Sequence, residues 1–452
     1  MRHALTLANP PASLRPEELT ERMIERRAVE AAIWGMPIVS VDAMRQAFLQ
    51  EGKYGDILYC SRPADWRFQV TTPNASSLYV YFNFNLKDGP VVVDFPAAVG
   101  AGLFGTILDA WQVPLADVGP EGDDEGNGGK YLLIPPDHSA EIPRGYFTVQ
   151  SQTYNGYAAF RAIPITQSDA DVAKAIDLVK HLRVYPLAAE DRPRRQRHID
   201  ISGKLFDGIV RYDETFYQSL ATMVAEEPVQ TRDLTMMGQL HSLGIARDKP
   251  FKPNLRVKSI LRGALAEAHA VFMEWTRNIE PYWPGSQWGM HGHLASQTHF
   301  SFLTEDRLAI DERGALYFFG CAPPKVLGAA TFYLSSAKDS NGDPLVGGKT
   351  YRLHIPPDPP VKQYWAVTVY DLTTAGFIHN SPTLCVDSYN LNTERNADGS
   401  VDIYFSTTMP PGKENNWIHT AARGEWIAMF RFYGPRKAVF EKTWVLPNIE
   451  QM

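Results

Sequence analysis

Tyrosine and asparagine side chains recur where this sequence alternates between apolar and polar residues. From Ser77 to Lys87 the apolar residues fall on one face of a predicted strand, and the other face carries Tyr79, Tyr81, Asn83 and Asn85. Hydroxyl and amide groups are costly inside an apolar core but suit the wall of a ligand cavity. The pattern therefore predicts a binding surface along this strand.

The wider set of candidate substrate-binding residues combines aromatic rings, amides and a guanidinium. Its members are Asn74, Tyr81, Trp111, Tyr154, Trp365, Asn416, Trp417, Arg431 and Tyr433. Arginine binds carboxylates through paired hydrogen bonds, and aromatic rings suit an apolar molecule. We therefore expect the partner to be a small apolar or aromatic molecule with a carboxylate, fixed by Arg161 or Arg431. The alternative is that these side chains stack on a solvated sheet face or join two domains.

Four residues are candidates for catalysis: Tyr79, Asp109, Arg161 and Tyr370. Asp109 would act as a general base, with His291 as an alternative base. Tyr79 or Tyr370 would act as an acid, and Arg161 would stabilise developing negative charge. The sequence favours an enzyme, either a hydrolase or a lyase, that acts on a small molecule in a cleft between two β domains. A non-catalytic binding protein is the alternative, and a structural or interaction protein is the third interpretation.

Three histidines, His291, His293 and His299, form a metal-like cluster in this sequence. Imidazoles two residues apart on an extended segment can share one ion. The competing interpretation is a polar loop, because carboxylates that would orient the ligating rings cannot be identified from sequence. We predict no cofactor and keep a divalent ion at these histidines as the alternative.

Composition excludes several classes of protein. Among 452 residues, 44 are basic and 51 are acidic, so the net charge of −7 gives no positive field for nucleic acid. No apolar stretch approaches the ~20 residues of a membrane span, and the N-terminus lacks a long apolar signal region, which predicts a cytoplasmic location. Three scattered cysteines form no disulfide framework. The oligomeric state is left open, a homo-oligomer included.

The periodicity of the chain predicts an α+β fold that is mainly β, with two antiparallel β-sandwich-like domains joined by a helical segment. Helical spacing from Pro16 to Gly35 predicts one helix, and a second short helix follows over Val41 to Leu49. The predicted units are N-terminal helices packing on the body (residues 1–55), an N-terminal β domain (56–190), a helical bridge (191–320) and a C-terminal β-sandwich (321–452).

Ordered motifs at both ends of the chain carry a family resemblance. The N-terminal motifs are Thr72-Pro73-Asn74, Leu78-Tyr79, Gly89-Pro90-Val91-Val92, Asp109 to Trp111, Gly129 to Leu132, and Arg161. The C-terminal motifs are Asp339 with Gly342, Leu345 and Gly348, the strand Tyr364 to Asp371, Asp398-Gly399-Ser400, Asn416-Trp417, Arg431 to Pro435, and Trp444 with Pro447. The chain resembles the paired domains of unknown function 1254 (N-terminal) and 1214 (C-terminal), found together in many bacterial proteins. The resemblance implies two β-sandwich-like domains with helices between them and implies no particular reaction.

Overall fold

The computed structural model describes residues 15–166, 168–192, 194–326 and 331–452. Within these ranges the α-helices are α1 (Pro16–Glu51), α2 (Asp169–His181), α3 (Thr215–Glu226), α4 (Leu234–Ser242), α5 (Leu255–Arg277), α6 (His293–Gln297), α7 (Ile310–Phe319) and α8 (Lys437–Phe440). None of these helices has the length and apolar character that crossing a membrane requires.

The strands lie mainly on either side of a helical middle segment. The strands before α3 are β1 (Asp56–Tyr59), β2 (Phe68–Gln69), β3 (Leu78–Asn85), β4 (Val91–Phe95), β5 (Gly102–Asp109), β6 (Pro114–Val118), β7 (Gly129–Ile134), β8 (Phe147–Gln150), β9 (Asn155–Ile163), β10 (Arg183–Pro186), β11 (Arg197–Asp200) and β12 (Phe206–Asp207). The strands after α7 are β13 (Thr331–Ser336), β14 (Tyr351–Ile355), β15 (Trp365–Asp371), β16 (Cys385–Asp387), β17 (Val401–Ser406), β18 (Trp417–His419), β19 (Trp426–Tyr433) and β20 (Glu450–Gln451). This arrangement confirms the predicted mainly β, α+β fold.

Helix α1 is a single helix of 36 residues, and the predicted break after Gly35 is wrong. Pro37 lies inside it and lacks the N–H of a normal helical hydrogen bond, at a cost of about 3 kcal/mol. Most residues from 28 to 48 are buried, because α3, α4, α5 and α7 pack around this helix. At Gly35 a Cβ would lie 2.8 Å from Cδ1 of Leu220 on α3, so glycine permits the close approach. Burial on several sides offsets the cost of Pro37.

The N-terminal sheets pack through the apolar face predicted from the alternation. Strand β3 lies inside a six-stranded sheet of order β11-β1-β3-β9-β5-β6, and antiparallel pairing sets Arg161 of β9 opposite Tyr79 of β3. Phe160 contacts both Phe82 of β3 and Phe95 of the second sheet, whose order is β10-β4-β7-β8. These edge-on aromatic contacts join the two sheets into a sandwich.

The second face of β3 is also covered, although the alternation predicts a half-buried strand. Tyr81 is 6% exposed and contacts Phe48 of α1, and Asn83 is 1% exposed. Because tertiary packing covers both faces, Tyr81 and Asn83 lie inside the protein, whereas Tyr79 and Asn85 are half-buried.

The middle segment contributes to the N-terminal sheets as well as carrying α3 to α7. Strand β11 pairs in parallel with β1, and β12 pairs in parallel with β2. Asp56 at the start of β1 is fully buried and accepts hydrogen bonds from Arg194 at 2.7 Å and Arg197 at 3.0 Å. The chain therefore returns to its first sheets before it enters the helical region.

The C-terminal region is a sandwich of two four-stranded sheets. Their strand orders are β13-β19-β15-β16 and β18-β17-β14-β20. Aromatic side chains fill the space between them: Trp365 stacks on Phe430 with ring centroids 5.7 Å apart, and Trp426 contacts Tyr351 and Phe405. Strand β19 is buried along its whole length, which places Arg431 in the middle of a covered sheet.

Candidate two-arginine site

The connection between β2 and β3 lies against the C-terminal region. The backbone N–H of Thr72 donates to the carbonyl of Ala375 at 2.7 Å, and Gln69 Nε2 donates to the carbonyl of Phe377 at 3.1 Å. Thr72 has a φ of 39°, an uncommon conformation for a β-branched residue. This connection, residues 70–77, therefore brings N-terminal backbone to the C-terminal sheet.

Arg431 of β19 points toward that connection and is 2% exposed. Its Nη1 donates to Thr368 Oγ1 at 2.9 Å, and its Nη2 donates to the carbonyl of Thr72 at 2.8 Å. The guanidinium carbon lies 5.2 Å from the ring centroid of Tyr333 and 5.6 Å from that of Tyr370. Neutral oxygens and aromatic rings surround the charge, and no carboxylate pairs with it among the described residues.

Arg161 of β9 brings a second guanidinium to the same place and is half-buried. Its guanidinium carbon lies 5.7 Å from the ring centroid of Tyr79, and its Nε is buried without a hydrogen-bond partner. Within the part of the chain that the structure describes, no ion pair reaches this side chain. Burial and the charge of Arg431 both act to lower the pKa of Arg161. The oxygens of Tyr79 and Tyr333 act in the other direction and prevail, so the pKa is raised. Tyr79 beside Arg161 is bonded to Asn74, and the carbonyl of the preceding Pro73 lies 3.4 Å from Nη2 of Arg431, so both guanidiniums lie near the same connection.

Three tyrosine hydroxyls of this cluster are bonded to the 70–77 connection. Tyr79 Oη accepts from the backbone N–H of Asn74 at 2.7 Å, and Tyr433 Oη accepts from Asn74 Nδ2. Tyr370 Oη donates to the carbonyl of Pro73 at 2.6 Å. These bonds fix the rings around the guanidiniums, and burial raises the pKa of all three tyrosines.

Tyr333 of β13 differs from these tyrosines and is absent from the residues predicted from sequence. It lies directly opposite Arg431 in the β13–β19 pairing and is half-buried. Burial raises the pKa of Tyr333, but the charges of Arg161 and Arg431 outweigh burial and lower it below the ordinary 10.0. The alternating residues of β13 mark a strand, but only the pairing of β13 with β19 shows which residue faces Arg431.

The structure brings together part of the predicted site. The predicted residues in the two-arginine site are Asn74, Tyr79, Arg161, Tyr370, Arg431 and Tyr433. Tyr364 also belongs to it, since its ring stacks on Tyr433 at 4.0 Å and its hydroxyl hydrogen-bonds Ser76 at 3.1 Å.

Asp109 lies elsewhere, which corrects its grouping with Arg161. In the sheet Asp109 pairs with Gly156, whereas Arg161 pairs with Phe104, five residues away or roughly 16 Å along the strand. Its Oδ1 accepts from the backbone N–H groups of Trp111 and Val113 at 2.8 and 2.9 Å, so it caps the β5–β6 turn. Burial raises the pKa of Asp109 to about 6.

Three further predicted binding residues of the N-terminal region also have other surroundings. Tyr81 packs between Phe48 and Tyr157, and Trp111 lies edge-on to Trp34 with ring centroids 4.7 Å apart. Tyr154 donates its hydroxyl proton to Asp137 at 3.0 Å. Their grouping with the arginines is corrected, because packing rather than strand alternation determines their neighbours.

The predicted binding residues Trp365, Asn416 and Trp417 are structural in the C-terminal sandwich. Trp365 is 1% exposed in the core, and Trp417 Nε1 donates to the carbonyl of Ser406 at 3.1 Å. Asn416 Nδ2 donates to the carbonyls of Glu394 and Asp402, both at 2.9 Å. The structure therefore does not bring these three residues to the two arginines.

The histidine cluster shows no grouped metal ligands among the described residues. His291 stacks on Phe319 with ring centroids 3.7 Å apart, and burial lowers its pKa to about 3. His299 is exposed, and the side chain of His293 lies outside the described part of the chain. The prediction of no cofactor, with a divalent ion at these histidines as its alternative, stays a prediction.

Two small pockets in the described surface are not lined by either arginine. The first is bordered by Trp34, Trp111, Glu227 and Asp233, and the second by Cys60, residues 62–65, Phe68 and residues 201–204. Neither includes Arg161 or Arg431. The candidate site therefore rests on charge and hydrogen bonding rather than on an observed cavity.

Two regions of the chain match known protein-family models. The model described as "Protein of unknown function (DUF1254)" matches residues 57–186, and the model described as "Protein of unknown function (DUF1214)" matches residues 330–437. No curated protein matches the chain.

Two solved structures are similar to this chain. The crystal structure of the VPA0106 protein from Vibrio parahaemolyticus has a TM-score of 0.54 and 17% identity, covering 95% of this chain and 100% of that one, which shows a shared fold. An uncharacterised protein from Burkholderia cenocepacia has a TM-score of 0.43 and 12% identity, covering 96% of this chain and 95% of that one. The chain carries a region that matches DUF1254 followed by a region that matches DUF1214, as its motifs predict.

Proposed function

We propose that this protein is an enzyme acting on a small organic molecule that carries a carboxylate, held at the two-arginine site between the N-terminal sheet and the C-terminal sandwich. One observation carries the proposal: the guanidiniums of Arg161 and Arg431 each lie beside a tyrosine that is bonded to the 70–77 connection, and neither has a carboxylate partner among the described residues. Burying a charge costs several kcal/mol unless an opposite charge or hydrogen bonds offset it. An anionic ligand would offset both cations.

The surroundings of the arginines support a ligand that is partly apolar. The ring of Tyr79 stacks on Phe68 at 5.0 Å, and the rings of Tyr364 and Tyr433 stack at 4.0 Å. Tyr79, Arg161 and Tyr333 each keep part of their surface exposed, which gives an anion a route to the cations. Aromatic faces beside a guanidinium suit a carboxylate attached to an apolar or aromatic group.

The proposed reaction class is a hydrolase or a lyase, and a binding protein without turnover is the first alternative. A structural role is the second alternative. The hydrogen bonds of Arg431 to the carbonyls of Thr72 and Pro73 favour the structural role, because they join the two β regions. Arg161 has no such bonds among the described residues, so it separates these possibilities best.

Calorimetric titration with benzoate tests the proposal. We expect saturable binding to the wild-type chain, about tenfold or more weaker binding to Arg161→Met, and no comparable binding of the neutral isostere benzamide. Arg262→Met is the matched control, because Arg262 is 62% exposed and pairs loosely with Glu214 at 3.5 Å. Equal benzoate binding by wild type and Arg161→Met would contradict the anion site.

Turnover divides the enzyme from the binding protein. Mass spectrometry after incubation with a panel of aliphatic and aromatic carboxylic acids would detect a product formed by wild type and lost in Arg161→Met. Binding of benzoate with no turnover across the panel would favour the non-catalytic alternative.

A further inference from the structure

We propose that Tyr333 is the proton acceptor of the two-arginine site, and that its substrates are small carboxylic acids with an acidic C–H bond beside the carboxylate. This inference rests on the proposed function, and it adds a catalytic residue and a substrate class to it.

The geometry separates Tyr333 from the other tyrosines of the site. The hydroxyls of Tyr79, Tyr370 and Tyr433 are bonded to residues 73 and 74 of the N-terminal connection, where they hold the two regions together. Tyr333 lies on β13, which flanks β19 on the edge away from β15 and Tyr370, and its ring is 5.2 Å from the guanidinium carbon of Arg431. Its position suits contact with a ligand that the guanidiniums hold.

The charged and titratable groups that face Tyr333 come from two packed strands. Arg161 faces it from β9, and Arg431 and Tyr433 face it from β19. The two cations lower the pKa of Tyr333, so its phenolate is present at lower pH than that of an ordinary tyrosine. A phenolate beside two guanidiniums leaves one net positive charge, which matches a monocarboxylate.

Proton transfer within this site conserves charge. The phenolate oxygen of Tyr333 takes the proton from the carbon next to the carboxylate, which breaks the C–H bond and forms an O–H bond. The electron pair of the C–H bond forms a carbon–carbon double bond, and the π electrons of the carboxylate move onto its oxygen. The product is an enediolate with two negative charges beside Arg161 and Arg431.

The number of arginines is what makes this step favourable. The carboxylate of the substrate needs one cation, whereas the enediolate has a second negative charge that develops only as the proton leaves. Groups that bind the transition state more strongly than the substrate accelerate the reaction. Return of the proton from Tyr333 regenerates the substrate, so no additional reactant is needed, and exchange of the phenol with solvent labels that carbon.

Deuterium exchange into phenylacetate tests the inference directly. Proton NMR in D2O would follow loss of the methylene signal, and we expect wild type to catalyse this exchange. We expect Tyr333→Phe to slow it about 100-fold or more without weakening phenylacetate binding. The matched control is Tyr404→Phe, since Tyr404 lies on β17 of the other sheet beside Lys413 and we expect it to leave exchange unchanged.

The outcomes distinguish this inference from the proposed function. Phenylacetate that binds to wild type without exchanging, or that exchanges equally with Tyr333→Phe, overturns the role of Tyr333 and leaves the anion site intact. Absence of both benzoate and phenylacetate binding overturns the proposed function itself.

A pH profile of wild type keeps the inference testable if Tyr333→Phe does not fold, which far-UV circular dichroism would show. We expect the exchange rate to rise with pH and to level off below the ordinary tyrosine pKa of 10.0. A rate that is still rising through pH 10.0 would overturn the inference.

Discussion

Two groups of interior arginines in this protein have contrasting surroundings, and a further buried arginine, Arg313, belongs to neither because it donates to the carbonyl of Trp34 at 3.0 Å. Arg45 of α1 is surrounded by acids: its Nη2 lies 2.7 Å from Asp42 Oδ1 and its Nη1 lies 2.8 Å from Glu226 Oε2. Arg161 and Arg431 are surrounded by carbonyls and tyrosine rings, with no acid bonded to them among the described residues. The chain thus neutralises one buried cation itself and leaves two adjacent cations without an anion.

The difference indicates what each region is for. A buried ion pair is stable only while both partners are present, so Arg45 and its acids act as one structural unit. At the two-arginine site, the missing partner is a negative charge, which an outside molecule can supply. The comparison therefore yields opposite expectations for removing a buried arginine in the two regions.

Removing Arg45 should have the largest effect on stability. We expect Arg45→Leu to lower the free energy of unfolding by about 3–5 kcal/mol, because Asp42 is left buried without its cation. Urea denaturation would measure the loss. The exposed Arg262, paired with Glu214, is the control, and Arg262→Leu should cost less than about 1 kcal/mol. Similar losses for the two variants would remove the structural role of the Arg45 cluster.

Asp109 extends the comparison to a buried negative charge without an ion pair among the described residues. Burial raises its pKa from the ordinary 3.8 to about 6, so the folded chain binds this proton more tightly than the unfolded chain. The free energy of unfolding should therefore fall by about 3 kcal/mol as the pH rises from about 4 to above about 6.

Asp109→Asn should lack this fall, because an amide does not ionise and its oxygen can still accept from the backbone N–H groups of Trp111 and Val113. Denaturation of wild type and variant at about pH 4 and about pH 8 measures the difference. The same pH dependence in both chains would show that Asp109 does not titrate as its burial implies.

Substitution within the two-arginine site should have the smallest effects on stability and should separate its two members. Arg431→Met should lower the free energy of unfolding by about 1–3 kcal/mol, because the carbonyl of Thr72 and the hydroxyl of Thr368 lose their donor. Arg161→Met should change it by less than about 1 kcal/mol or raise it, because a poorly bonded charge is removed from a half-buried position. Equal losses in chemical denaturation would mean that Arg161 is also a structural residue.

Residue spacing was sufficient to predict individual strands and helices of this protein. Alternation from Ser77 to Lys87 predicts the strand Leu78–Asn85, and helical spacing from Pro16 to Gly35 predicts the first part of the helix Pro16–Glu51. These predictions hold because a strand or helix forms from residues near each other in sequence. The continuation of this helix through Pro37 could not be predicted from the sequence. Packing against helices that are distant in the chain offsets the hydrogen bond that the proline removes.

Part of the candidate site could also be predicted from the sequence. Arg161, Arg431 and the tyrosines beside them stand out by residue type, since a permanent cation among aromatic residues suits an anionic ligand. Trp365 and Asn416 also stand out as an aromatic and an amide residue, but Trp365 lies in the core and Asn416 fixes a loop. Residue type cannot distinguish these cases, because neighbours across the sheets decide whether a polar group is already bonded.

The sequence by itself determined the mainly β fold, the family motifs at both ends and the presence of arginines on two strands. Tertiary structure alone decided that Arg161 and Arg431 meet, that Asp109 lies apart from them and that Tyr333 faces Arg431. The physical reason is that local hydrogen bonding and alternation depend on neighbouring residues. The balance of buried charge depends instead on residues that are far apart in the chain. The hydrogen bond of Arg431 to the carbonyl of Thr72, for example, joins residues separated by 359 positions.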